Sequence, residues 1–139
     1  MSETSHKPDN FRERLAHLRE ALLHLHKALV DSERVSYEQS IGTIASPNHF
    51  LKLLTDDPWF AWLHPLSLLI VEMDEALDSK VKTPLTAEQA AVLIKRTAEL
   101  LVANETGEGF SQNYFDALQR DPNVVMAHAA AAKWFRAKR

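Results

Sequence analysis

The chain has 139 residues, 45% of them hydrophobic and 25% charged, which is enough apolar mass for one cored domain and excludes a disordered or collagen-like chain. It has no cysteine and only 3 glycines, which excludes a disulfide scaffold, a thiol nucleophile and a Cys-ligated metal, and argues against a glycine-cradled phosphate loop. Sixteen Lys and Arg against 19 Asp and Glu leave a net charge of -3, which argues against a general nucleic-acid binder.

Residues 1–8 are polar and carry no apolar stretch of the kind a secretion signal needs, so they are expected to form a flexible tail. Residues 9–139 are expected to form one helical domain. The first helix is expected from Asp9 to Ile41, because Phe11, Leu15, Leu18, Leu22, Leu25 and Leu29 recur in steps of four and three. Leu23, Val30 and Tyr37 widen that stripe beyond a narrow seam, which points to several neighbouring helices. Ser46-Pro47 then reads as an N-cap followed by proline in the first turn, starting a short helix that runs to Leu54.

Asp57-Pro58 repeats that signal and opens the most informative segment, expected as one helix from Pro58 to Ser79. One side carries Trp59, Trp62, Leu63, Leu66, Leu69, Ile70, Met73 and Leu77. The other carries Phe60, His64, Leu68 and Val71, so the segment is expected to be central, buried on both sides, and kinked at Pro65. Its uncharged stretch from Pro58 to Val71 spans 14 residues, too short to cross a bilayer, and a cytoplasmic location is expected. Thr86-Ala87-Glu88-Gln89 has capping-box form and opens a helix to Ala103. A loop over Asn104–Gly109 precedes helices over Gln112–Arg120 and Pro122–Ala137, the last rich in alanine. No strand or hairpin signal is present. The expected class is therefore all-α, a five- to six-helix bundle with a long N-terminal helix.

No phosphate-loop, dinucleotide, nucleophile-elbow or His-Glu-x-x-His motif occurs. Glu-x-x-His appears once, at Glu3–His6 in the tail, so a di-iron bundle has no second half. No catalytic residue, metal or cofactor is expected, and a non-enzymatic role is the reading these absences favour. His17 and His24, each four residues after a glutamate, read as a solvated surface ladder. His26, His64 and His128 fall on apolar arcs, where an imidazole needs a hydrogen-bond partner or a ligand. Ser67, Tyr37, Tyr114 and Glu72 can serve as partners. A second reading has those three histidines, with Trp62 and Tyr114, converging on a small-molecule or metal pocket.

The runs Asp56-Asp57-Pro58-Trp59-Phe60-Ala61-Trp62-Leu63-His64-Pro65-Leu66-Ser67, Ile70–Leu77 and Leu29–Arg34 resemble a family of small helical bacterial proteins, a likeness covering roughly residues 15–102. It implies a bacterial helical domain and transfers no functional residue. The surplus apolar surface points to a protein partner, with a homodimer expected. The contact is expected on Phe60, Leu68 and Val71, or on the alanine face of the last helix. Five basic residues against two acidic ones over residues 111–139 give a weaker nucleic-acid reading. Neither membrane nor nucleic acid is an expected partner.

Overall fold

The computed structural model of the chain describes residues 7–78, 80 and 83–136. It is all-α, with seven helices among the described residues: α1 (Lys7–Ser40), α2 (Pro47–Asp56), α3 (Pro58–Ala61), α4 (His64–Leu77), α5 (Ala87–Leu100), α6 (Phe110–Arg120) and α7 (Pro122–Phe135). Residues 1–6 of the expected tail lie outside the described residues, and the helix is already formed at Lys7. The expected ends at Ser79 and Ala137 also fall outside them.

Local chemistry sets the boundaries. Ser46 Oγ accepts the His49 amide, Asp57 Oδ1 that of Trp59, and Asp121 Oδ1 that of Asn123, each satisfying an amide that the first helical turn leaves without a partner. Thr86 and Gln89 complete a reciprocal capping box. Gly109 precedes α6 at φ 59°, a left-handed conformation that a side chain would strain.

Helix α1 is 34 residues long, and α4, α5 and α7 all pack against it. Its seam leucines Leu15, Leu18, Leu22, Leu25 and Leu29 are wholly buried and join Leu66, Met73, Tyr114 and Val124 in one continuous core. Helix α5 also touches α4 and α7, and the short α2 and α3 pack on each other at the end of α1 that carries Tyr37.

The segment expected as one kinked helix is two. Pro65 has no amide hydrogen, and its ring collides with the carbonyl four residues back, at Ala61, where α3 ends. Trp62 and Leu63 bridge the gap in tight turns, with Leu63 N donating to Phe60 O and Leu66 N to Leu63 O, both at 3.1 Å. Pro65 then sits in the first turn of α4, where no amide is required. This split raises the helix count to seven. Nor is the segment buried on both sides. Leu66, Leu69, Ile70 and Met73 face the core, whereas His64, Leu68, Val71 and Glu75 face solvent.

Candidate functional site

Helices α1 and α4 run antiparallel and are tied by three polar rungs. Arg12 donates to the Leu77 carbonyl at 3.2 Å, Arg19 pairs with Asp74 at 2.9 Å, and His26 Nε2 shares a hydrogen bond with Ser67 Oγ at 2.8 Å. The 100° step of α4 places His64, Leu68, Val71 and Glu75 on one outward stripe. Leu68 is 47% exposed and Val71 48%, and Leu23, between the Arg19 and His26 rungs on α1, is 41% exposed. Leu68 and Val71 share the outer stripe of α4, and the two rungs set Leu23 on α1 level with the middle of that stripe.

Phe60 does not belong to this face. It is only 2% exposed, held between Tyr37 (5.7 Å between ring centres) and Phe50 (5.8 Å), because the break after Ala61 turns α3 inward. On α7 the alanines divide: Ala131 and Ala132 enter the core, while Ala129 and Ala130 stay exposed beside Val125 and Met126.

The three singled-out histidines separate. His26 and His64 line one cavity of about 360 Å³, together with Ser67, Thr55 and an apolar wall that includes Val30, Phe60 and Leu63. Burial lowers the pKa of His26 below its ordinary 6.5, so its ring is neutral at pH 7. His64 is exposed, at the first position of α4 after the helix break.

His128 is not part of that cavity. Its Nδ1 is 2.6 Å from the hydroxyl of Tyr114, which is fully buried and whose pKa burial raises strongly. Tyr114 and His128 belong to a row of rings running Trp62, Phe110, Tyr114, His128 and Phe135, with centres 5.2, 5.3, 5.5 and 6.0 Å apart. Trp62 and Tyr114 therefore serve this packed row rather than the His26 cavity. Among the described residues no group of three or more His, Asp or Glu is placed to hold a metal ion.

His26 and His128 give the fold a pH dependence of definite sign. Burial lowers the pKa of both, and Arg136 lowers that of His128 further. Below about pH 6.5 the unfolded chain takes up protons that the native chain refuses, so stability falls with pH down to the depressed native values. Urea unfolding from pH 7.5 to 5.5 is expected to show that loss, and His26→Gln to reduce it; an equal loss in the variant contradicts the assignment.

The other histidines have ordinary structural roles. His17 stacks on Trp134 with ring centres 4.7 Å apart, instead of forming the expected ladder with glutamate, and His49 Nδ1 accepts the Ala45 amide at 3.0 Å. His6, Lys138 and Arg139 lie outside the described residues. Glu72 pairs with Arg96, whose hydrogen bond lowers the carboxyl pKa.

One polar cluster went unanticipated. Arg120, at the end of α6, donates through Nε to Ser32 Oγ at 3.0 Å and through its terminal nitrogen to Glu33 at 2.9 Å. Ser32 and Glu33 are both buried on α1. The signal was available in the sequence: Ser32 continues the four-three seam after Leu29, and Glu33 lies one turn beyond it. Polar groups in buried positions require a partner from elsewhere in the chain. Arg120 is thus tied into the fold, which removes it from the basic cluster at the C-terminal end.

No family model, no curated protein and no solved structure matches the chain. Among the described residues no helix is long and apolar enough to cross a membrane.

Proposed function

We propose that this chain is a non-enzymatic helical domain that associates with a second copy of itself through the outer face of α4. The observation that carries the reading is the pairing of Leu68 and Val71 on one solvent-facing stripe, extended onto α1 by Leu23. Apolar residues scattered singly on a surface are ordinary; neighbouring apolar residues with polar groups at their ends have the composition of an interface. The exposed part of α7, around Met126 and Ala130, is the competing contact. Leu68→Glu is expected to weaken association more than tenfold in sedimentation experiments, with little change in melting temperature, because the residue is exposed in the single chain. Met126→Glu is expected to leave association unchanged. The reverse pattern moves the contact to α7.

The His26 cavity supports a second reading, a pocket for a small neutral molecule. No charged side chain lines it, His26 is neutral, and hydroxyl and imidazole groups face an apolar wall that includes the Phe60 ring. Titration with phenol, followed by amide NMR, is expected to shift Ala61–Ser67 and His26 together. Scattered shifts, or none, count against a pocket. A cytoplasmic setting and a bacterial source belong to the same proposal, supported by the absence of cysteine and by the resemblance of the Asp56–Leu77 stretch.

A further inference from the structure

We propose, resting on the self-association read above, that the second copy docks antiparallel, α4 against α4 and α1 against α1. The two-fold axis crosses α4 between Leu69 and Ile70. The inference comes from how charge is distributed along the exposed face. About that point Leu68 and Val71 are related to each other, and so are His64 and Glu75, all four facing solvent. An antiparallel contact therefore sets Leu68 on the partner's Val71 and His64 beside the partner's Glu75.

Helix α1 carries the same symmetry at the same height. The rungs Arg19–Asp74 and His26–Ser67 fix the antiparallel register of α1 on α4. That register brings the midpoint of the α4 stripe level with the point between Leu23 and His24. Glu20 and Lys27, both exposed, lie at equal distances on either side of that point. The axis that pairs α4 with itself thus also sets Glu20 beside the partner's Lys27. Lys27 already holds Asp31 at 2.9 Å in an exposed pair, and an ammonium has donors for both carboxylates. A two-fold axis parallel to the helices does the opposite: it sets Glu75 on the partner's Glu75, and it carries the two α1 helices to opposite sides of the α4 pair, so that neither Glu20 nor Lys27 gains a partner. Like charges set directly opposite disfavour that arrangement, so the charge pattern selects one orientation of a symmetric dimer.

The chain has no cysteine, so introduced thiols report geometry cleanly. His64→Cys and Glu75→Cys proteins are prepared separately, their association checked by sedimentation, and then oxidised alone and as an equal mixture. In the antiparallel dimer position 64 faces position 75, while the two copies of position 64 stand about 16 Å apart along the helix. The mixture is expected to form the mixed disulfide, and each protein alone is expected to form none. Lys27→Glu is expected to raise the dimer dissociation constant about tenfold, and Glu20→Lys/Lys27→Glu to restore it.

A wild-type chain that stays monomeric overturns both the self-association and this docking. Disulfides within each single-variant sample, a dimer that yields no disulfide in any sample, or a Lys27→Glu protein that associates like wild type overturns the antiparallel docking while self-association stands.

Discussion

Arg120→Ala is expected to destabilise the chain by about 2–3 kcal/mol, a large effect for a residue whose side chain is 36% exposed. Truncation leaves the Glu33 carboxylate, only 8% exposed, without its charged partner, and leaves Ser32 Oγ without its guanidinium donor. The penalty arises from stranding a buried charge more than from losing one attraction, and partial solvent access at Arg120 holds it below that of a fully enclosed pair. The control follows from the same physics. Glu33→Leu/Arg120→Met removes both charges, keeps most of the volume, and is expected to recover at least half of the loss. Urea unfolding at pH 7 measures both variants. An Arg120→Ala protein within about 0.5 kcal/mol of wild type contradicts the assignment of Arg120 as the clamp between α6 and α1.

Leu22→Ala is expected to cost about 3–4 kcal/mol, and its neighbour Leu23→Ala less than about 1 kcal/mol. Leu22 is wholly buried in the seam of α1, so its loss removes apolar contact and leaves a cavity between packed helices. Leu23 is one position on, turned 100° toward solvent. Two chemically identical deletions one residue apart thus test the register of the longest helix. Similar costs at both sites would mean that α1 is rotated from the position described, which would also remove Leu23 from the proposed interface.

The helical elements were legible because their signals are local. Ser46, Asp57, Thr86 and Asp121 are caps, three of them followed by proline and Thr86 completing a capping box; a helix start depends only on the next few residues. The α1 seam was legible for a related reason, since five leucines in four-three spacing leave one buried face. The central segment was misread because hydrophobicity does not say which side is covered. Leu68 and Leu69 are the same residue type, yet one is exposed and the other in the core. The Pro65 break was equally accessible in principle: the proline clashes with the carbonyl of Ala61 and ends α3 there, whereas a kink requires the helix to continue through it.

The histidines show where sequence stops being informative. His26 with Ser67 and His128 with Tyr114 are contacts across 41 and 14 residues. The spacing of apolar residues identifies an imidazole that needs a partner, and the partners found are two of the four candidates. Which histidine meets which hydroxyl, and that His26 and His64 share a cavity while His128 does not, depends on how α1, α4, α6 and α7 cross. Arg120 makes the complementary point. It reads as one of a run of basic residues near the C-terminal end, but its role is fixed by Ser32 and Glu33 more than 80 positions earlier.

The most direct measurement of the central claim is the molar mass of the wild-type chain across the micromolar range by light scattering, beside Leu68→Glu. The account predicts a wild-type mass that climbs from 15.8 kDa toward twice that value as concentration rises, with the variant held at 15.8 kDa throughout. A wild-type chain that stays at 15.8 kDa at every concentration contradicts it.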